Sequence, residues 1–173
     1  MKRMANIEKR ASRLLLLLMT AAVVLWLSPL PVQAQGEPAI AITAPADITG
    51  WALSPQGAQP KTQSGILTVT TTNANGHNWA VTAMDSENTT GHMTKYSGGT
   101  YIPGIKLSAA MQVQGNNGTA TLPTAGNVVT GTGTVTNAQY TITFKQSVSW
   151  TDAVVAAPDS YRIVVTFTGS IAP

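Results

Sequence analysis

The sequence predicts an all-β fold: an antiparallel β-sandwich, immunoglobulin-like or jelly-roll-like, preceded by an N-terminal signal-peptide helix. Three observations predict it. Short runs of alternating apolar and polar residues recur along the chain, the period of a strand with one dry and one wet face. Gly, Pro and Asn clusters separate those runs, as in sandwiches and barrels. Beyond the first segment, no long stretch carries a helical period.

The first 34 residues read as an export signal rather than as part of the fold. Lys2, Arg3, Lys9, Arg10 and Arg13 form a basic start. Leu14 to Leu27 is an uncharged apolar run of 14 residues, too short for a spanning helix, which needs about 20. Pro29 and Pro31 then break the helix, and Val32-Gln33-Ala34 has the small-residue pattern of a cleavage site. Cleavage is expected after Ala34. Residues 35–38 read as a short flexible lead-in and 39–173 as one domain, with no internal boundary and no fixed-period repeat.

Within 39–173 the expected strands come in order. Ala39 to Thr43 and Ile48 to Leu53 lead. Gly65 to Thr72 alternates through Leu67 and Val69. Trp79, Val81 and Ala83 form one face, so Trp79 is expected in the core. Leu107, Ala109, Met111 and Val113 form another, followed by Tyr140, Ile142 and Phe144. A final run carries Tyr161, Ile163, Val165 and Phe167. Asn73 to Gly76 and Asn116 to Gly118 read as hairpin turns, because Asn and Gly tolerate positive φ. Ser97 to Gly99 and Tyr101 to Gly104 mark a loop, and Ala156 to Asp159 a turn. Gly126 to Thr136 reads as an edge strand or a flexible loop, with Val128 to Val135 a weakly protected edge.

Charge and cysteine content exclude several functions. The whole chain carries a formal +3, but five of its ten basic residues lie in the leader. After Ala34, five basic residues stand against six acidic ones, about −1. No basic patch remains for a nucleic-acid backbone. There is no cysteine, which excludes disulfides, thiolate metal sites, cysteine nucleophiles and lipid attachment through cysteine.

The candidates for chemistry are few. His77 and His92 flank Asp85 and Glu87, but the spacing matches no zinc pattern and both histidines read as loop-edge residues. No G-x-S-x-G elbow is present. Asp152 and Asp159 flank a turn and read as a surface pair with Arg162. The expectation is therefore no catalytic residue, no metal and no cofactor: not an enzyme. Among the aromatics, Trp51, Tyr96 and Tyr101 are the candidates for stacking on a sugar ring, and Trp150 ends a strand at an edge. Asn88-Thr89-Thr90 and Asn117-Gly118-Thr119 are N-glycosylation sequons in expected loops, which makes Asn88 and Asn117 candidate acceptors.

Gly76-His77-Asn78-Trp79-Ala80-Val81-Thr82 resembles the first tryptophan motif of WxL-type cell-wall domains, with Val81 where that family has leucine. Tyr161 to Thr168 resembles the family's closing strand, with Phe167 in place of the second tryptophan. Spore-coat and fimbrial-type subunits are similar in ending on a Thr-rich alternating strand. The resemblance implies non-covalent attachment to an envelope polymer, or a coat subunit.

The expected protein is thus secreted: a non-enzymatic cell-surface or extracellular-matrix structural protein. It would associate with an envelope polymer or with like subunits, and it would have no membrane contact after cleavage. The chain ends at Pro173 with no tail or sorting motif, so release or non-covalent retention is expected. The rival reading is a carbohydrate-binding module that takes a polysaccharide on its exposed aromatics.

Overall fold

Tandem alternation produces strands and nothing else. The computed structural model describes residues 36–87 and 89–172, and among them there is no helix. The leader, its cleavage site at Ala34 and the sequon residue Asn88 lie outside the described residues. Eleven strands follow in order. They are β1 (Ala39–Thr43), β2 (Lys61–Thr72), β3 (Asn78–Asp85), β4 (Thr94–Ser97), β5 (Thr100–Lys106) and β6 (Gln112–Gln114). The rest are β7 (Thr119–Thr121), β8 (Gly126–Thr132), β9 (Ala138–Gln146), β10 (Ser160–Arg162) and β11 (Val165–Ile171). All pairings are antiparallel. They build a five-stranded sheet β1-β2-β9-β6-β7 and two three-stranded sheets, β11-β3-β8 and β10-β4-β5.

The period of two decides what is buried. Leu67, Val69 and Thr71 of β2 point inward, as do Ile142, Phe144 and Gln146 of β9 and Trp79, Val81 and Ala83 of β3. Together with Val113, Ala120, Val128 and Val129 they make one core. Two edge-to-face ring pairs cross it, Trp79 with Tyr140 at 5.9 Å and Phe144 with Phe167 at 6.4 Å. Each joins β9 of the five-stranded sheet to a strand of the β11-β3-β8 sheet. Trp79 also satisfies its indole N–H on the Gly133 carbonyl, at 3.2 Å, as a buried tryptophan must.

Several expectations need correction. Ile48 to Leu53 is not a strand. Gly50 adopts a φ of 68° there, and Ile48, Trp51 and Leu53 pack on the core from irregular backbone. The Leu107 to Val113 alternation belongs mostly to a loop: only Gln112–Gln114 is strand. Leu107 and Met111 are buried because their N–H groups are tied to Met93 and Gly91 carbonyls, at 2.9 and 2.8 Å. Tyr101 to Gly104 is part of strand β5, not a loop. The final run divides at Ile163-Val164 into β10 and β11, which enter different sheets.

Asn73 to Gly76 does turn the chain, with the His77 N–H on the Ala74 carbonyl at 3.0 Å, but it closes no hairpin. Both edges of β2 are already taken by β1 and β9, so β3 must cross to another sheet. Asn116 to Gly118 is a true hairpin turn between β6 and β7. Gly126–Thr132 is an edge strand, yet its outer edge is not bare. The Asn117 N–H reaches the Val128 carbonyl and the Thr130 N–H reaches the Asn117 side-chain oxygen, both at 3.4 Å.

Candidate functional site

The smallest sheet gathers the most chemistry. Gly98 and Gly99, at φ of 56° and 87°, turn β4 into β5, which makes Tyr96 and Tyr101 direct cross-strand partners. Side chains opposite each other in an antiparallel pair meet, and these rings pack edge-to-face at 5.1 Å and 69°. Strand β10 lies along the other edge of β4. From it the Arg162 guanidinium stacks on Tyr96, 4.6 Å from the ring centre.

A loop from the neighbouring sheet completes the cluster. Asp85, at the end of β3, is buried. It accepts hydrogen bonds from the Glu87 N–H at 3.1 Å, the Thr89 hydroxyl at 2.8 Å and the Gly91 N–H at 2.8 Å. Gly91 holds a φ of 78°, and a Cβ there would stand 2.2 Å from the Leu122 carbonyl. Only glycine fits. The loop so fixed presents Glu87, whose carboxylate accepts the Tyr101 hydroxyl and lies 3.6 Å from Arg162. Burial, then the bond to Glu87 and its charge, push the Tyr101 phenol above its ordinary value of 10.0. Tyr101 therefore stays a donor.

Beside this cluster lies an open cleft of about 340 Å³ between β5 and the loop. Glu87, Thr90, Tyr101, Pro103, Gly104 and Lys106 line it, and the Lys106 ammonium donates to the Thr90 hydroxyl at 3.1 Å. A second hollow, about 360 Å³, lies on the outer side of β3 and β8 among Asn78, Ala80, Thr130 and Thr132 and has no charged lining residue.

The other candidates are placed as follows. The fold brings Tyr96 and Tyr101 together but sets Trp51 against the hydrophobic core, so the three rings do not form one exposed row. Asn117 sits on the turn that covers β8. Each histidine ring meets a main-chain carbonyl: His77 with Ala172 at 3.1 Å, His92 with Leu107 at 2.7 Å. No cluster of three metal-ligating side chains occurs among the described residues.

The acids are engaged structurally. Asp159 pairs with Lys95 at 2.8 Å, and the Lys95 hydrogen bond is the main reason its carboxyl titrates below the usual range. Asp152 accepts the Ser149 and Ser108 N–H groups at 2.7 and 2.8 Å. Burial acts to raise its pKa, and these hydrogen bonds outweigh that and lower it. The expected pairing of Asp152 or Asp159 with Arg162 is thus replaced by Arg162 on Glu87, because β10 sets Arg162 beside the loop after β3.

Glu87 and Arg162 carry no local signal as partners of the tyrosines: Arg162 comes by the pairing of β10 with β4 and Glu87 on the loop after β3. Trp150, expected at the end of a strand, stands instead on a turn after β9, 74% exposed, and Val154 further along the same loop is 95% exposed. A tryptophan between Ser149 and Thr151 on a polar turn was the available signal. The chain matches no family model, and no curated protein or solved structure is similar to it.

Proposed function

We propose that the chain is exported through its N-terminal segment and that its β-sandwich serves as a non-enzymatic interaction domain at the cell surface or in an extracellular matrix. It associates non-covalently with like subunits or with an envelope polymer. The ring pairs that join β9 to β3 and β11 support the sandwich reading. The apolar run and the Val32-Gln33-Ala34 pattern support export.

One observation carries the association. Strands β1 and β11 are sheet edges, and neither contains a charged residue or a proline. Edges without such devices are templates for another strand. The test is light scattering behind size exclusion on the chain from residue 35 onward, over a range of concentrations. Growth of dimers or polymers with concentration supports self-association. A monomer throughout removes it and leaves the envelope polymer as the partner.

A second reading, polysaccharide binding, is favoured by the Tyr96–Tyr101–Arg162 cluster and the cleft beside it. Retention on immobilised envelope polysaccharides that is lost in Tyr101→Ala supports it, and retention unchanged by that substitution overturns it for this face.

A further inference from the structure

The charges around the cleft do not cancel alike. Asp85 uses both oxygens on three donors of its own loop. Glu87 is held by the Tyr101 hydroxyl and faced by Arg162. Among the described residues Lys106 donates to the neutral Thr90 hydroxyl, and no carboxylate lies in ion-pair reach of it. The cleft therefore offers one uncompensated charge, an ammonium with donors to spare.

The rest of the lining fits a sugar ring. Tyr101 supplies aromatic surface, while the Thr90 hydroxyl and the Glu87 carboxylate supply bonding groups for ring hydroxyls. An extended peptide fits less well. Although β5 is a sheet edge, Pro103 has no N–H to give, and Gly104 at a φ of 85° breaks the extended line.

Resting on the polysaccharide reading above for its ligand class, we propose that this cleft is a subsite for an acidic sugar residue. The ring lies against Tyr101, its hydroxyls meet Glu87 and Thr90, and its carboxylate meets Lys106.

The test uses the full chain as an exporting host processes and releases it, titrated calorimetrically with the trimer of galacturonic acid and with the same trimer as its methyl ester. The two differ at their carboxyl groups, which are charged in the acid and capped by a methyl in the ester. The acid is expected to bind about tenfold more tightly, the worth of one charge-assisted hydrogen bond. Lys106→Met is expected to bring the acid down to the level of the ester and to leave the ester unchanged. Lys106 is exposed, so this variant keeps the fold, which circular dichroism checks. Acetate is expected to bind far more weakly than the trimer, since it has no ring for Tyr101.

Equal binding of acid and ester, an unchanged Lys106→Met, acetate matching the trimer, or no binding of either trimer each overturns the subsite. Retention on other polysaccharides through Tyr101, and concentration-dependent self-association, are read separately. Either can survive the loss of this subsite.

Discussion

The two flanks of the β1-β2-β9-β6-β7 and β11-β3-β8 sheets end differently. On one flank β7 meets β8, and the turn between β6 and β7 lies along the outer edge of β8, filling backbone positions at Val128 and Thr130. On the other flank β1 meets β11 through side chains only: Ile40 rests on Gly169, and no backbone hydrogen bond joins the two strands. Each flank has a close approach at a glycine, Gly115 of the β6–β7 turn against β8 and Gly169 of β11 against β1, but the glycines face different things. At Gly115 an added Cβ would lie 2.1 Å from the Val128 carbonyl oxygen. At Gly169 it would lie 3.0 Å from the end of the Ile40 side chain. Backbone cannot step aside, whereas a side-chain end can. One flank is therefore closed by rigid main-chain contact, and the other is closed loosely with its edges left open.

The largest effect is expected on the closed flank. Gly115→Ala drives a methyl into the Val128 carbonyl and forces the turn off β8, at a cost of about 3 kcal/mol in urea unfolding. Uncovering the edge also raises the tendency to associate. A loss under about 1 kcal/mol would mean that the turn tolerates displacement and that this flank is no more rigid than the other.

On the open flank, Ile40→Ala removes a half-buried side chain and is expected to cost about 1.5 kcal/mol. Gly169→Ala is expected to stay within about 1 kcal/mol, since Ile40 can rotate away and alanine suits a strand better than glycine. Because the two residues touch, the double variant is expected to cost less than the sum of the single ones. Strict additivity would mean that β1 and β11 are not coupled through this contact.

The same contrast explains what could be read from the residues alone. Inward positions were legible wherever a strand alternates, as at Leu67 and Val69 or Ile142 and Phe144, because the pleat fixes sides locally. Which strands pair was not. Asn73 to Gly76 has good hairpin composition, yet β2 already has a neighbour on each side, and nothing local records that. Leu107 and Met111 alternate like strand residues while their burial comes from a loop pinned by Gly91. Covering of the β8 edge depends on Asn117 in the turn between β6 and β7, so Val128 to Val135 read as weakly protected. At the candidate site, the Gly98-Gly99 turn pointed to Tyr96 and Tyr101. Arg162 arrives there through the pairing of β10 with β4 and Glu87 on the loop after β3, and no spacing encodes either. Trp51 is a stacking candidate by residue type alone, and only the three-dimensional packing sets it against the core.

The smallest effect on the fold, and the sharpest on association, is expected from charge placed on the open edge. Ala41 is exposed on β1, between the inward Ile40 and Ile42, so Ala41→Lys leaves the core untouched and is expected to change stability by no more than about 0.5 kcal/mol. Lysine on an edge strand is a common device against edge-to-edge pairing. If β1 is the strand that recruits another copy, light scattering on Ala41→Lys shows a monomer where the parent chain associates. Thr168→Lys does the same for β11, and the pair tells the two edges apart. Association that survives both substitutions would move the contact away from this flank, toward the exposed Trp150 and Val154, and the open edges would then carry no interaction.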